Sequence, residues 1–389
     1  MGDTSKTLRE RLYHKGVSKG RDTVYYEQDT MNYTICRLSG VMDKEQLLKF
    51  WNENHGGDLD EKYKWIYENN PAGKAVVSLI RDNETNECTG CFAAFPRRIS
   101  VGGVGLRAGV AGDLFVHKKH RILIPALKLE KSLMSIVQKK EFDLIYGFPN
   151  KKAEPVMKRA GFKYLGSYIG IAKIIKTSEQ LQKLHVPKYL NRLLSPLLDV
   201  ALRLFAFETW YRLRSGFICE EIRHFDERFD DLWLKSKLRF HAVGERTSQF
   251  LTWRFLRKPN AEYKIFAIFN SSTTELQGYI IHCTDKNSIH VTDFILPEDK
   301  KAIRVLVAHF LRYARKASPK SVVIRFLGNK EISTLFRRFG FVRRKSGDQS
   351  VHYYCNEHVL KRFPVLEDSE SWLLSNADID DGLLRVMRG

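Results

Sequence analysis

The clearest succession of secondary-structure signals lies in residues 111–162, AGDLFVHKKHRILIPALKLEKSLMSIVQKKEFDLIYGFPNKKAEPVMKRAGF. An apolar run carrying one acid, Asp113–Val116, predicts a strand, and the basic turn His117–Arg121 follows it. Apolar residues then recur at a spacing of about 3.6, which predicts a helix before a second strand-like run, Phe142–Phe148. A short helical pattern closes on Gly161-Phe162, where the glycine is the expected C-cap. The stretch therefore predicts a strand–helix–strand–helix unit.

The basic turn is placed to receive an anion. A helix that begins near Pro125 would direct its first N–H groups at the same place as the Arg121 side chain. Proline suits the first helical position because an N–H there would have no partner within the helix. A phosphate group of a ligand is the anion that this arrangement favours.

Length and composition indicate a globular protein with an anionic companion. The 389 residues are too many for one ordinary core and predict two domains. A hydrophobic content of 43% is typical of globular folding, and the formal net charge of +20 favours a phosphorylated cofactor, an anionic membrane surface or nucleic acid. Because the sequence has no helix-turn-helix, zinc-finger or aromatic-basic pattern, no nucleic acid is expected as a partner.

The cysteines predict neither a disulfide framework nor a metal site. Six are scattered along the chain, and Cys88-Thr89-Gly90-Cys91 is a lone C-x-x-C motif without the second pair that a zinc site needs. The polar residues 1–30 contain no signal-peptide pattern, and no stretch reaches the roughly 20 apolar residues of a membrane-spanning helix. A cytoplasmic location is the expectation that follows.

Glycines between Pro96 and Gly109 predict a β-hairpin with Gly102-Gly103 at its tip. A dinucleotide-binding loop would need a different glycine spacing and a helix directly after it.

The two halves of the chain repeat each other. The tryptophan, proline and glycine matches share an offset of 188, and the aspartates are offset by 180, which the longer hairpin of the first half explains. Each matched asparagine stands eleven residues before a Gly-Phe pair. The repeat predicts a duplicated domain. The matched pairs are Trp65 with Trp253, Pro71 with Pro259, Gly90 with Gly278, Asp113 with Asp293, and Asn150 with Asn329.

The predicted unit resembles the GNAT superfamily of acyl-CoA N-acyltransferases. The resemblance rests on the strand, basic turn, helix and strand, followed by Asn-x-x-Ala at Asn150 and Gly-Phe downstream. The family's cofactor loop usually reads Val-x-Pro-x-Tyr-Arg-Gly-x-Gly-Ile-Gly. Here Val116 and Arg121 match, Ala126 stands at the last glycine and Ile124 at the middle one.

The resemblance implies an α/β (α+β) fold of two tandem GNAT-like domains. Each would be a mixed, mostly antiparallel sheet with a splayed parallel strand pair, flanked by helices. The expected parts are a polar N-terminal arm (1–32), a GNAT-like domain 1 that is the cofactor-binding candidate (33–178), a helical linker (179–216), a degenerate GNAT-like domain 2 (217–356) and an acidic C-terminal tail (357–389).

The function that the resemblance implies is transfer of an acyl group, acetyl in the first instance, from CoA to a primary amine. An amino sugar or another cell-envelope precursor is the expected acceptor. Asp113 is the candidate general base, and a purely structural strand acid is its alternative. The family often has a tyrosine where this chain has Met157. The residues expected to bind acetyl-CoA or another acyl-CoA are Leu114, Val116, Arg121, Ile122, Leu123, Ile124, Ala126 and Asn150.

The second half has acidic residues, Glu298-Asp299, where the phosphates would have to lie, and is therefore not expected to bind CoA.

Two alternatives remain open. A catalytically inactive pair of GNAT-like domains could bind a partner or an anionic membrane surface instead. Residues 188–214 predict an apolar helix flanked by basic residues, either packed between the halves or resting on a membrane as a peripheral contact. Asp199 and Glu208 argue against deep insertion.

Overall fold

A computed structural model describes residues 32–55, 59–211, 216–285, 287–344 and 348–380. The predicted N-terminal arm, apart from Asn32, lies outside the described residues. So do Arg212 and Arg214 of the predicted membrane-contact segment and the last nine residues of the predicted tail.

The first half alternates helices with a set of mainly antiparallel strands. It consists of β1 (Tyr33–Arg37), α1 (Gly40–His55), α2 (Asp60–Tyr63), a π-helical turn (Lys64–Glu68), β2 (Val76–Asp82), β3 (Cys88–Val101), β4 (Val104–Val116), a 3-10 turn (Lys118–His120), α3 (Leu123–Gln138), β5 (Leu144–Gly147), α4 (Glu154–Ala160) and β6 (Lys163–Ile174).

Three helices lead into the second half, which repeats most of this order of elements and adds two short strands. Within the described ranges, none of the helices is both long and apolar enough to cross a lipid bilayer. The elements are α5 (Ser178–Lys183), α6 (Lys188–Leu204), α7 (Phe207–Trp210), β7 (Phe217–Ile222), α8 (Glu227–Ser236), β8 (Ala242–Gly244), α9 (Ser248–Leu251), a π-helical turn (Thr252–Leu256), β9 (Lys264–Asn270), β10 (Leu276–Thr284), β11 (Ser288–Ile295), α10 (Lys300–Lys316), β12 (Ser321–Phe326), α11 (Lys330–Arg338), β13 (Val342–Arg343) and β14 (Gln349–Cys355). They are followed by α12 (Glu357–Arg362), 3-10 turns at Pro364–Glu367 and Ser369–Ser371, and β15 (Trp372–Leu373).

The predicted hairpin is confirmed. Strands β3 and β4 pair antiparallel up to Val101 and Val104, and Gly102 and Gly103 turn the chain with φ of +55° and +83°. Positive φ at both positions is the conformation that a two-residue hairpin turn needs and that glycine adopts without strain. Strand β3 begins before the predicted hairpin, at Cys88, and β4 continues past it to Val116. The apolar runs before Pro96 and after Gly109 therefore belong to the same two strands.

The two halves share one sheet because they exchange their closing strands. The strand order is β1-β2-β3-β4-β5-β14-β6-β12-β11-β10-β9-β7. Strand β14, near the end of the second half, inserts between β5 and β6 of the first. The far part of β6 pairs instead with β12, from Ile169 opposite Phe326 to Ile174 opposite Ser321.

A reciprocal tryptophan pair lies between the halves. The Trp65 indole N–H donates to the backbone carbonyl of Trp253 at 2.8 Å, and the Trp253 indole N–H donates to that of Trp65 at 2.9 Å. Their rings stack with centroids 5.3 Å apart, and both side chains are buried. Each tryptophan lies in a five-residue π-helical turn. The sequence repeat is therefore also a two-fold repeat in space at this point.

The matched glycines have a physical cause. A Cβ on Gly90 would lie 2.6 Å from the carbonyl oxygen of Phe115, and a Cβ on Gly278 would lie 2.6 Å from that of Ile295. No side chain fits at either position, because a backbone oxygen cannot move away as a flexible side chain can.

The matched asparagines precede corresponding helices. Asn329 is the N-cap of α11 and accepts the N–H of Glu331, which is the usual role of asparagine at a helix N-terminus. Asn150 accepts the N–H groups of Lys152 and Ala153 in the turn before α4, whose N-cap residue is Ala153.

The C-terminal segment belongs to the folded body as far as Asp380. The sequence predicts an acidic C-terminal tail over residues 357–389, and in the structure Trp372–Leu374 of this segment is buried. Strand β15 pairs with β8, and Leu374 pairs with Leu327 just beyond β12. The segment therefore lies along the seam between the halves.

Trp65→Phe should lower the free energy of unfolding by about 2 kcal/mol, because the ring remains while a buried hydrogen bond is lost and the Trp253 carbonyl loses its donor. Trp253→Phe should cost a similar amount, and Trp210→Phe, at an exposed position, is the matched control. Chemical denaturation measures all three. A cost below about 0.5 kcal/mol for both buried variants would show that the reciprocal pair does not hold the halves together.

Candidate functional site

The parallel strands β4 and β5 separate and leave a gap. They pair only from Ala108 opposite Leu144 to Ala111 opposite Gly147. Strand β5 ends at Gly147, whereas β4 continues to Val116. The edge of β4 beyond Ala111 therefore faces the gap, and backbone groups on such an edge can bond an extended ligand.

Asp113 lies in a β-bulge at the start of the gap. Gly112 is opposite Ala93 and Phe115 is opposite Cys91, so two residues of β4, Asp113 and Leu114, face one residue of β3. Asp113 has a φ of +55°, a left-handed conformation that is uncommon outside glycine. A bulge bends its strand and redirects its side chains, which accounts for the divergence of β4 from β5 here.

The Asp113 carboxylate is nearly buried among polar groups of the helical layer. The Tyr67 hydroxyl donates to its Oδ2 at 2.6 Å. Burial, together with the charge of Asp113, raises the pKa of Tyr67 well above its ordinary value. Burial lowers the pKa of Lys62, an effect that the negative charge of Asp113 partly offsets. A carboxylate, a phenol and an amine thus occupy one low-dielectric region beside the gap.

The basic turn lies at the far end of β4, directly before α3. Helix α3 begins at Leu123, so Pro125 is in its first turn but not at its first position. The first-turn residues Leu123, Ile124 and Ala126 each carry a backbone N–H, whereas Pro125 carries none. The N-terminus of a helix of 16 residues attracts anions through these N–H groups and the helix dipole.

Arg121 is fixed beside this turn. Its Nε donates to the carbonyl of Val116 at 2.9 Å, and its guanidinium lies over the Phe115 ring, 5.3 Å from the centroid. The side chain is nevertheless exposed. An exposed cation held at a helix N-terminus reinforces the attraction for an anion.

Asn150 and Met157 lie on the β5 side of the gap. The Asn150 side-chain oxygen accepts two N–H groups of the turn before α4, while the residue itself is exposed. Met157 is buried, and its Cε lies 3.0 Å from where a Cβ on Gly147 would be. The side chain of Ala111 approaches that position equally closely, so the base of the gap is narrow.

The structure brings to the site one acid that the sequence does not predict there. Asp380 lies against the bulge, with its Oδ2 2.9 Å and its Cβ 2.7 Å from where a Cβ on Gly112 would be. The residue is 7% exposed. It is 267 residues from Asp113 in the chain, and no local pattern marks it.

Buried arginines hold the segment that carries Asp380. Arg254 donates to the carbonyls of Asn376 and Ile379 at 2.7 and 3.1 Å. Arg97 donates to that of Ala377 at 3.5 Å, and burial lowers the pKa of Arg97 to about 10. Because guanidinium groups from β3 and from the second π-helical turn bond carbonyls of residues 376, 377 and 379, the segment directly before Asp380 is held from two elements of the fold.

The corresponding gap in the second half is filled. Strands β11 and β12 also diverge, and Asp293 lies at the point of divergence. Its carboxylate is paired with Arg246 at 2.9 Å and accepts the Ser375 hydroxyl at 2.5 Å. Since Leu374 pairs with Leu327 beyond β12, the C-terminal segment lies between the two strands.

The corresponding helix N-terminus is also occupied. Asp299 accepts the N–H of Lys301 at the start of α10, so the protein's own carboxylate takes the place of an external anion. The two halves therefore share a fold but offer different chemistry.

The predicted cofactor residues form two groups. Leu114 and Val116 lie on the edge of β4, and residues 121–126 form the turn into α3, continuous with that edge. Asn150 lies across the gap, after β5. In the described part of the chain, no group of three or more His, Cys, Asp or Glu side chains is placed to hold a metal ion.

The structure is similar to solved structures of acyltransferases. A GCN5-related N-acetyltransferase from Anabaena variabilis aligns with a TM-score of 0.58 and 13% identity over 83% of this chain and 72% of that one. A protein from Enterococcus faecalis described as a probable N-acyltransferase aligns with a TM-score of 0.59 and 12% identity over 84% and 72%. The N-myristoyltransferase of Saccharomyces cerevisiae with bound myristoyl-CoA aligns with a TM-score of 0.50 and 13% identity over 91% and 83%.

No protein-family model matches the sequence, and no curated protein matches it. At 12–13% identity the structural likeness shows the fold alone. The chain has the GNAT fold, as its sequence predicts, with a mixed sheet, a splayed parallel strand pair and flanking helices.

Gly112→Ala should lower the free energy of unfolding by more than about 1 kcal/mol, because the added methyl group would overlap Asp380 and Phe95. Gly105→Ala in the same strand is the control, since nothing lies within 4 Å of its Cβ position, and it should stay within about 0.5 kcal/mol. Denaturation midpoints give both values. Equal effects would mean that Asp380 does not pack on the bulge.

Proposed function

We propose that the protein transfers an acyl group from acyl-CoA to a primary amine, with its one reaction site in the first half. The observation that carries the proposal is the continuity of three features along one strand: the gap beside β4, the bulge at Asp113 and the anion-attracting N-terminus of α3. An extended ligand with a phosphate at one end and a reacting group at the other matches them in that order.

The first half fits CoA, and the second does not. In the first, the N–H groups of Leu123, Ile124 and Ala126, with Arg121, would hold the pyrophosphate. The open edge at Leu114 and Val116 would bond the pantetheine, with Asn150 across the gap. In the second, residues 374–375 fill the gap, and Asp299 occupies the helix N-terminus.

The chemistry requires a proton acceptor and a donor for the developing oxyanion. Bound acyl-CoA would supply the activated thioester carbonyl. Asp113 would accept the proton that the attacking amine releases, since it lies where β4 leaves β5. A backbone N–H of the Asp113–Val116 edge would donate to the oxyanion. The chain has Met157 where the family often has a tyrosine, so the CoA thiolate would leave without a protein acid.

The acceptor and the acyl group follow from the charge and width of the gap. Asp113 in the bulge and Asp380 packed against its neighbour Gly112 favour a cationic amine, such as an amino sugar or another cell-envelope precursor. The narrow base between Ala111, Gly147 and Met157 favours a short acyl group, and acetyl is the first choice.

Titration calorimetry with acetyl-CoA tests the cofactor assignment. The wild type should bind in the micromolar range, and Arg121→Ala should bind about tenfold more weakly or worse, because it removes a charge-assisted contact to the pyrophosphate. Arg304→Ala removes the same charge near the start of α10 in the second half and should change little. Equal losses in the two variants would contradict a first-half site.

Failure of acetyl-CoA and of longer acyl-CoAs to bind would leave the alternative function, a catalytically inactive pair that binds a partner or an anionic membrane. Ile124 in the cofactor turn and Met157 in the place of a tyrosine are the observations that favour it.

Asp113→Asn should reduce kcat at least about 100-fold and abolish the fall in rate at low pH, while acetyl-CoA still binds, because an amide cannot accept the proton. Asp380→Asn should mainly raise KM for the amine. Tyr67→Phe is the control for structural disturbance at Asp113, because it removes only the hydrogen bond to Asp113 and leaves the carboxylate in place. If Asp380→Asn abolished the low-pH limb and Asp113→Asn kept it, Asp380 would be the base and Asp113 a structural acid.

A further inference from the structure

Helix α6 carries a stripe of exposed apolar side chains. Their spacing along the helix is three or four residues, so they share one face. Their exposed fractions run from 50% to 90%, and no residue of α6 is buried. The apolar stripe consists of Tyr189, Leu193, Leu197, Val200, Leu204 and, directly after the helix, Phe205.

The helix lies on the protein with its polar side inward. Asp199 accepts the Thr177 N–H at 2.7 Å and the Thr177 hydroxyl at 2.8 Å. The Asn191 amide donates to the Ser178 carbonyl at 2.9 Å. A surface helix ordinarily buries its apolar side and leaves its polar side in water. In α6, by contrast, hydrogen bonds hold the polar side against the protein and leave the apolar side exposed. The helix is therefore not packed between the two halves through its apolar face.

The end of this segment is fixed as well. Glu208 is fully buried and pairs with Lys173 at 3.2 Å and with Arg315 at 2.9 Å. Arg312 donates to the Glu208 carbonyl at 2.6 Å. Asp199 and Glu208, the two acids whose presence in the sequence argues against deep insertion, therefore both face the protein and leave the stripe free of carboxylates.

Basic side chains accompany the stripe. The helical period places Arg192 and Arg203 in line along one edge of it, about three turns apart, and both are exposed. Arg203 also lines a cavity beside the end of α10, in which the basic side chains of Lys176 and Lys316 accompany the inward-facing Asp199 and Glu208. Cations beside an apolar surface match the order of phosphates and acyl chains in an anionic bilayer.

We propose that α6 docks the protein on an anionic membrane surface, lying in the interface plane with the apolar stripe at the acyl boundary and Arg192 and Arg203 at the phosphates. A second copy of the chain is a poor occupant, because two chains of formal charge +20 repel each other. The proposal is independent of the reaction, although a docked enzyme would reach amines at that surface.

Flotation with vesicles tests the docking. The wild type should float with vesicles of phosphatidylcholine and phosphatidylglycerol, and less with phosphatidylcholine alone. The double variant Leu193→Glu, Leu197→Glu should bind about tenfold more weakly or worse, because carboxylates would have to enter the acyl boundary. The control Leu234→Glu, Leu238→Glu makes the same charge change at exposed leucines elsewhere and should still float.

Fluorescence gives a second readout. Trp210 is 70% exposed, and the other five tryptophans are buried. Its indole N–H donates to the Leu204 carbonyl, which places it at the end of the stripe. An aqueous quencher should therefore reduce the fluorescence of Trp210 in the free protein, and anionic vesicles should protect this residue from the quencher. The proposal is overturned if the wild type does not float or if the stripe and control variants float equally. It is also overturned if the wild type forms a dimer without lipid and the stripe substitutions dissociate that dimer.

Discussion

Trp65 and Trp253 each donate an indole N–H to the backbone of the other, and the rest of the structure depends on the arrangement that this pair fixes. The pair sets two similar halves against each other, and one C-terminal segment lies along the seam between them. The exchange of β14 and β6 then joins both halves into one sheet, and Trp372–Asp380 fills the seam. Because the core of each half includes strands or segments from the other, neither half has a complete core alone.

Once the seam is set, the two gaps cannot be equivalent. A single C-terminal segment crosses both, and it closes the second gap with Leu374 and Ser375 but reaches the first only with Asp380 at its margin. The two corresponding acids show the same division. Asp113 and Asp293 each accept a tyrosine hydroxyl, but Asp113 lies beside an open edge, whereas Asp293 is also paired with the buried Arg246. We infer that duplication kept the fold in both halves and the cofactor chemistry in one.

The sequence predicts whatever depends on neighbours along the chain. The hairpin at Gly102-Gly103 is set by local backbone geometry, so its pattern is visible in the residues themselves. The exchange of closing strands and the approach of Asp380 join distant residues and leave no local signal. The apolar period of α6 is visible too, but a period does not show which side of a helix faces the protein.

A crystal structure with bound CoA would test most directly whether one gap has kept the cofactor. We expect the pyrophosphate at the start of α3, beside Arg121, and the pantetheine between β4 and β5, with residues 374–375 still between β11 and β12. CoA bound between β11 and β12, with the C-terminal segment displaced, would contradict the division between the halves. CoA bound outside both gaps would contradict the proposed reaction site itself.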